Sequence, residues 1–283
     1  MPRTVWLASY PKSGNTWFRI FIANLLRPGT APLDINNLPV STPIASSRSH
    51  FDHLLGIASA LLKPAEIARL RPAADRELSC AWQEPLLLRK VHDAYTWRGD
   101  GRPMLGRGPE FAAIYIMRDP WDVAASMTNH FDCSLDGAVD RMCDANFTLA
   151  RGHKGLSNQL SQRLLSWEGH VLSWLDAPLS LHLMRYEDMR SDPLPTFRRA
   201  VRFLDLPHDD AAIEAALDAC RFERLQGQER EQRFRETPRH MRQFFRSGKV
   251  GEGRGTLGAD QLARLEAMKA RVERAISAGA TAP

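Results

Sequence analysis

The sequence of 283 residues contains no apolar run of 18 residues, so it predicts no membrane-spanning helix. Its first residues also lack the long apolar core of a secretory signal, because the short stretch over residues 4–10 is closely followed by Lys12. From both absences we expect a cytoplasmic protein. Cysteine is scarce as well. The four cysteines have no CxxC spacing, which argues against a zinc site and against a disulfide framework.

Lysine is also rare: only six of the 38 basic residues are lysine, and the rest are arginine. With 33 acidic residues the net charge is +5, and the basic residues form no long run. Such a modest and dispersed excess gives little support for a nucleic-acid partner and fits a small anionic ligand as well. The few lysines are candidates for a specific chemical role, because a compact ammonium group can act as a movable point charge where a guanidinium cannot.

Short apolar segments alternate with helical patterns along the chain. Buried strands are predicted over residues 4–10, 86–91, 112–117 and 179–184. Helices are predicted over residues 15–26, 50–70 with a break at Pro64, 120–129, 134–150, 157–175, 192–204, 209–219 and 261–276. Loops are predicted over residues 29–49 and over the arginine-rich segment 226–256, which we expect a ligand to order. The alternation is typical of an α/β fold with a parallel sheet covered on both faces, and we expect a single domain over residues 1–283.

Residues 10–17 read YPKSGNTW. A strand that turns through such a loop into a helix directs backbone N–H groups and the positive end of the helix dipole at one point, which suits a phosphate. Gly14 allows close approach of the backbone, Lys12 adds a charge, and further donors come from Ser13, Asn15 and Thr16. No GxxxxGK[ST] motif is present, so ATP held with magnesium in a Walker A loop is disfavoured.

A second block, residues 118–131, reads RDPWDVAASMTNHF and follows the third predicted strand. The two blocks resemble those of the PAPS-dependent sulfotransferases, especially the cytosolic type and its bacterial relatives, whose blocks look like YPKSGTTW and RNPKDVAVSYYHF. Only Asn15 departs from the first block. The resemblance implies the P-loop NTPase-like sulfotransferase fold, in which the first block is a P-loop-like phosphosulfate-binding loop. It also implies that Arg118 and Ser126 hold the 3′-phosphate of PAPS.

Three shorter segments extend the resemblance. Tyr186 begins a YED motif after the fourth strand, residues 220–222 stand where the family has Thr-Ser-Phe, and residues 245–251, FRSGKVG, resemble FRKGKVG. Ser247 replaces a lysine and Cys220 a threonine, and both changes weaken the implied contacts. The resemblance implies adenine contacts for Trp17, Tyr186 and Phe222, and 3′-phosphate contacts for Arg246, Ser247 and Gly248.

The catalytic candidate is His92, which ends the second predicted strand after Lys90 and Val91 and resembles the family's K-T-H. Residues two apart on a strand face the same side, so Lys90 and His92 are expected together at the carboxyl edge where open α/β sheets bind ligands. A neutral imidazole can accept the proton of an attacking hydroxyl, which makes His92 the expected general base. Lys12 and Lys90 are expected to neutralise charge on the leaving phosphate and on the transferring sulfuryl group.

We therefore expect transfer of a sulfuryl group from PAPS to a hydroxyl of a small-molecule acceptor, without a metal ion. Two alternatives stay open, namely a P-loop-type nucleotide kinase and a non-catalytic protein that binds nucleotides or polyanions. The sequence does not identify the acceptor; the residues considered for an apolar acceptor pocket are Phe51, Phe131, Phe147 and Phe234. The KxxxTVxxxE dimer motif of the cytosolic family is degraded over residues 252–261, which leaves open whether the protein is a homodimer.

Overall fold

The computed structural model describes residues 3–27, 29, 31–38, 44–84, 86–151 and 157–279. Both ends of the predicted 1–283 domain, Pro28 and parts of the predicted loop over residues 29–49 lie outside the described residues. In chain order the strands are β1 (Arg3–Ser9), β2 (Leu86–Val91), β3 (Phe111–Met117), β4 (Thr148–Leu149), β5 (Gln162–Arg163) and β6 (Ser180–Arg185). Four of them form one sheet in the order β2-β1-β3-β6 with every neighbouring pair parallel, whereas β4 and β5 form a separate antiparallel ribbon.

The helices of the described residues lie on both faces of the sheet. In chain order they are α1 (Asn15–Leu25), α2 (Arg48–Leu55), α3 (Pro64–Ala81), α4 (Pro120–Phe131), α5 (Leu135–Cys143), α6 (Trp167–Leu175), α7 (Tyr186–Ser191), α8 (Pro193–Phe203), α9 (Asp210–Ala219), α10 (Phe222–Gln232) and α11 (Ala259–Gly279). Short 3-10 helices cover Ser59–Leu61 and Glu252–Thr256. Among the helices that the structure describes, none combines the length and the apolar character needed to cross a bilayer.

Two hydrophobic cores lie on opposite faces of the sheet, because successive strand residues point to opposite sides. On β3, Ile114 and Ile116 enter the core formed with α1, α8 and α9, whereas Tyr115 and Met117 enter the core formed with α4, α5, α6 and α11. The same alternation holds along β1. A strand buried on both faces needs apolar residues at every position, which explains the continuous apolar runs of the sequence. The expected parallel α/β sheet is confirmed.

Because all four sheet strands run in the same direction, their carboxyl ends meet at one edge. β1 leads into the loop before α1, and β2 is followed directly by His92. β3 is followed by Arg118 and β6 by Tyr186. Four segments that are far apart in the sequence are thereby brought to one edge of the sheet, which is where ligands bind in open α/β folds.

Two helices are shorter than the sequence pattern predicted. The helix predicted over 134–150 ends at Cys143, and the helix predicted over 157–175 begins only at Trp167. Ser166 marks the true start of α6, since its hydroxyl accepts a hydrogen bond from the backbone N–H of Gly169. Residues 157–165 form no helix because their backbone groups are used elsewhere; for example, the N–H of Leu160 donates to the carbonyl of Ser46 at 2.7 Å.

The segment 226–256, expected to be a mobile loop, is partly helical and well tethered. α10 continues to Gln232, and the carboxylate of Glu229 on this helix is buried. It accepts hydrogen bonds from the backbone N–H groups of Phe244 and Phe245 at 2.6 and 2.9 Å, and from the hydroxyl of Thr237 at 3.2 Å. One buried carboxylate thus fixes the loop that follows the helix, a contact that the polar composition of the segment does not reveal.

Candidate active site

A cavity of about 540 Å³ opens at the carboxyl edge of the sheet. With one exception, every residue predicted for catalysis or donor binding lines it: Lys12, Gly14, Asn15, Thr16, Trp17, Lys90, His92, Arg118, Ser126, Tyr186, Phe222, Arg246, Ser247 and Gly248. The exception is Ser13, which is buried within the loop and whose hydroxyl has no hydrogen-bond partner among the described residues. The structure therefore brings the two sequence blocks and the shorter segments to one place.

The loop between β1 and α1 has a backbone that only particular residues can adopt. Gly14 has φ 104°, and a Cβ atom at this position would lie 2.7 Å from Cδ2 of Tyr186. Lys12 also has a positive φ, 72°, which is uncommon for a residue with a side chain. The amide of Asn15 donates to the carbonyl of Leu7 at 3.0 Å and to the hydroxyl of Ser9 at 3.3 Å. This amide thus fixes the loop to β1.

Arg118 joins the two loops that the sequence assigns to phosphate binding. Its guanidinium donates to the carbonyl of Lys12 at 3.1 Å and to the carbonyl of Lys249 at 3.0 Å, and it lies 4.3 Å from the ring centroid of Tyr186. Asp122, one helical turn further along α4, accepts from the backbone N–H groups of Gly251 and Gly253, both at 2.8 Å. α4 therefore holds the glycine-containing loop against the loop that precedes α1.

The aromatic end of the cavity is formed by side chains from three helices. The rings of Trp17 and Tyr186 meet edge to face with their centroids 6.0 Å apart, and the hydroxyl of Tyr186 donates to the carbonyl of Gly248 at 3.0 Å. A Cβ atom at Gly248 would lie 2.8 Å from the ring of Phe222. The sequence patterns did not indicate Arg190. The guanidinium carbon of Arg190 lies 5.6 Å from the ring centroid of Trp17 and 6.0 Å from that of Phe222.

Arg246 and Ser247 share one acidic partner. The hydroxyl of Ser247 donates to Glu252 at 2.6 Å, and the guanidinium of Arg246 lies 3.8 Å from the same carboxylate. Both arrangements are at the exposed rim of the cavity, where ion pairs are weak and side chains can change partner. Their assigned role toward a 3′-phosphate stays a prediction.

His92 is held in one orientation. Its Nδ1 lies 2.8 Å from the carbonyl oxygen of Ser9, and its own carbonyl accepts a hydrogen bond from His170 at 3.0 Å. A carbonyl can only accept, so Nδ1 carries the proton and Nε2 keeps its lone pair. Burial, with the neighbouring charge of Lys90, lowers the pKa of His92 to about 3. The imidazole is therefore neutral at physiological pH.

Two lysines lie in the same cavity, and of the two only Lys90 has an ion-pair partner among the described residues. Burial, together with Lys90 and Arg118, lowers the pKa of Lys12 to about 7. Burial lowers the pKa of Lys90 too, yet Glu236 partly offsets this effect through an ion pair at 3.2 Å.

Glu236 is the main residue of this cavity that the sequence patterns missed. Its second carboxylate oxygen accepts from Arg19 at 2.6 Å, and the two cations lower the pKa of Glu236 to about 2. No local motif marks it, because Lys90 is 146 residues away in the chain.

The acceptor side of the cavity differs from the sequence expectation. Of the four phenylalanines considered, only Phe131 lines the cavity. Phe51 and Phe234 are buried in hydrophobic cores, and Phe147 packs against one. The cavity instead contains Phe244, Phe245 and His130. Burial and the charges of two lysines lower the pKa of His130 to about 3, so it too is neutral.

No cluster of His, Cys, Asp and Glu side chains that could hold a metal ion occurs within the described ranges. The cavity is instead dominated by cations and backbone donors.

Residues 109–272 match the family model described as the sulfotransferase domain, which is more than half of the chain. The chain belongs to this family. The resemblance inferred from the motifs is thus confirmed. The matched range includes Arg118, Ser126, Tyr186 and the 245–251 loop, whereas the loop before α1 and His92 lie outside it.

Curated sulfotransferases are similar to this chain, and the length of the matched segment differs among them. Cytosolic sulfotransferase 16 of Arabidopsis thaliana is 27% identical over 167 residues, which is 55% of this chain and 48% of that relative. Flavonol 3-sulfotransferase of Flaveria bidentis is 23% identical over 294 residues, or 94% of this chain and 80% of that relative. The chain thus matches about half the length of the first relative.

Solved structures show the same fold. A mouse sulfotransferase complexed with PAP has a TM-score of 0.58 and 19% identity, covering 98% of this chain and 86% of that chain. Retinol dehydratase in complex with androsterone and the inactive cofactor PAP has a TM-score of 0.54 and 18% identity, covering 98% and 80% of the two chains. At these identities the likeness extends to the fold, and the chemistry depends on the residues of this chain.

Proposed function

We propose that this protein transfers the sulfuryl group of PAPS to a hydroxyl of a small-molecule acceptor. The observation that carries the proposal is that one cavity collects the half-buried Lys12, the ion-paired Lys90, the oriented His92 and Arg118, which joins the two loops. They come from segments spread over the chain, so we also infer that the described residues act as one domain. Membership of the sulfotransferase family and the PAP named in the related structures support the choice of donor.

The cavity fits such a donor in charge and in shape. Four of its cations, Lys12, Arg118, Arg246 and Lys249, match a ligand with two phosphate ends. The first turn of α1 directs N–H groups and the hydroxyl of Thr16 toward the same region. The absence of a Cβ atom at Gly14 and Gly248 keeps the loops close to Tyr186 and Phe222. We infer that the aromatic end of the cavity receives the adenine.

When bound, PAPS supplies the sulfuryl group, and the protein supplies a base and fixed positive charge. We infer that His92 accepts the acceptor's hydroxyl proton at Nε2, since Nδ1 is engaged with Ser9. The lowered pKa keeps Nε2 unprotonated across the physiological range. Lys12 and Lys90 stabilise negative charge that develops at the leaving phosphate and at the transferring group. Positioning and neutralisation of this kind supply most of the catalysis in the related phosphoryl transfers.

The test compares wild type with His92→Ala and with His53→Ala, an exposed histidine outside the cavity. Radiolabelled PAPS is offered with a panel of hydroxylated small molecules and with a host extract. We expect His92→Ala to lose at least about 100-fold in turnover while calorimetry shows unchanged PAP binding. His53→Ala should keep both properties. Near-full turnover of His92→Ala would remove this residue as the base.

The two alternative functions give different results in the same experiment. A nucleotide kinase would turn over ATP only with magnesium and leave PAPS intact. A non-catalytic binder would bind PAP saturably and transfer label to no acceptor. Either outcome would overturn the proposed transfer.

A further inference from the structure

A second cavity, of about 790 Å³, lies beside the active-site cavity. Ala150 and Ser157 line both cavities. The chain passes from one to the other within a single peptide unit, because His92 lines the first cavity and Asp93 the second. Side chains at adjacent positions of an extended chain face opposite ways, which explains this separation. A ligand that extends from the second cavity past Ala150 and Ser157 would therefore reach the cavity that holds His92.

Arginine dominates the second cavity. Two of its arginines are already neutralised: Arg71 forms a bidentate ion pair with Asp93 at 2.7 and 2.8 Å, and Arg98 pairs with Asp100. These are also the only acidic side chains among its described lining residues. The remaining arginines, which have no carboxylate partner among the described residues, are Arg48, Arg69, Arg151 and Arg163. We call the second cavity, which these four arginines line, the arginine cleft.

Hydrogen bonds hold two of the residues that line the arginine cleft. Arg48 donates through Nε to the carbonyl of Ser157 at 2.6 Å and through a terminal nitrogen to the hydroxyl of Ser59 at 2.8 Å. Arg163 lies on β5, and its carbonyl accepts from the N–H of Ala94 at 2.8 Å. This hydrogen bond ties the backbone of Arg163 to the segment that follows His92, while the residue itself is exposed at the cleft.

Apolar surface accompanies the positive charge. Leu62, Ile67 and Met104 line the cleft, and the ring of Trp97 is 51% exposed beside them. An exposed tryptophan next to unpaired guanidinium groups suits a ligand with an apolar or ring-shaped body and an oxyanion. The size of the cavity is in the range of sites for drug-sized ligands.

We propose that the arginine cleft binds an anionic group of the acceptor, a carboxylate, sulfate or phosphate, so that the enzyme sulfates hydroxyls of molecules that already carry negative charge. This inference rests on the proposed function, since it names the class of its acceptor. It also assigns a role to part of the arginine surplus of the sequence, which the donor site does not use.

The first test measures binding and needs no turnover. The probe 8-anilinonaphthalene-1-sulfonate is titrated with PAP present to fill the donor site, and its uncharged analogue N-phenyl-1-naphthylamine is titrated in parallel. We expect the double variant Arg69→Ala, Arg163→Ala to raise the Kd of the sulfonate at least about tenfold and to leave the Kd of the neutral probe within twofold. Arg76→Ala, an exposed arginine on α3 outside the cleft, should change neither. Equal changes for both probes, or no change, would overturn the proposal.

The second test uses the natural acceptor without identifying it. Small molecules of a host extract are separated on an anion exchanger before radiolabelled PAPS and enzyme are added. We expect the retained fraction to accept the label and the double variant to raise its apparent KM with kcat preserved. Label accepted only by the unretained fraction would refute the anionic acceptor. Transfer to neither fraction would count against the proposed function itself, and the probe titration would then decide the cleft separately.

Discussion

Lys12 should take up a proton when PAP binds at mildly alkaline pH. In the free protein its pKa is lowered to about 7, by burial first and then by Lys90 and Arg118. At pH 8 a group with this pKa is about 90% neutral. A phosphate beside the ammonium favours the charged form, so the pKa rises on binding. A return to the ordinary value of 10.5 corresponds to about 5 kcal/mol of interaction with the ligand.

The expected uptake is about 0.9 proton per PAP at pH 8 and about 0.1 at pH 6, if the bound pKa exceeds 9. The choice of pH 8 also removes a competing signal, because phosphate monoesters lose their second proton near pH 6. Affinity should fall as the pH rises above 7, since neutral Lys12 must first be protonated. Isothermal titration in Hepes and in Tris, which differ in ionisation enthalpy, measures the number of protons directly.

Two variants make the assignment. Lys12→Met keeps the length of the side chain and the unusual backbone but has no charge, so the uptake at pH 8 should disappear and the affinity should fall. Lys249→Met removes an exposed lysine that lines the same cavity, and the uptake should persist. The reasoning is refuted if wild type takes up less than about 0.2 proton at pH 8, or if Lys12→Met takes up as much as wild type.

Three further predictions concern residues that support the cavity. Burial is the main cause that lowers the pKa of His170 to about 4 and those of His92 and His130 to about 3, so the unfolded chain binds these protons first. Stability should therefore fall by about 2 kcal/mol for each of the three histidines from pH 7 to pH 5, and equal free energies of urea unfolding at both pH values would contradict this. Gly14→Ala should weaken PAP binding at least about tenfold, because the new Cβ atom meets Tyr186 at 2.7 Å; calorimetry with unchanged affinity would disprove the contact. Glu236→Gln should destabilise the free protein by about 2 kcal/mol, because it leaves Lys90 buried without its anion. PAP should stabilise this variant more than it stabilises wild type. Thermal unfolding with and without PAP measures both effects, and equal stabilisation of the two proteins would contradict the prediction.

Much of the sheet and of the proposed donor site follows from local patterns. A strand covered on both faces must be apolar throughout, and a loop that receives phosphate at a helix N-terminus needs particular residues at fixed positions. Both rules act over fewer than about ten residues, so the runs that became β1 and β3 and the motif around Gly14 could be recognised directly. The lengths of α5 and α6 could not, because the apolar pattern continues past the points where backbone groups find partners elsewhere.

The sequence by itself determined the residues of the proposed phosphate-binding loop and that the strands are parallel and buried. Only the tertiary structure decided which charges meet. Glu236 pairs with Lys90 and Arg19 from an irregular loop, and Asp93 faces away from His92 to neutralise Arg71. Four other arginines of the cleft have no carboxylate partner in the part of the chain that the structure describes. The physical reason is that ion pairing and burial depend on distances between remote segments, and a sequence pattern reports only on its neighbours along the chain.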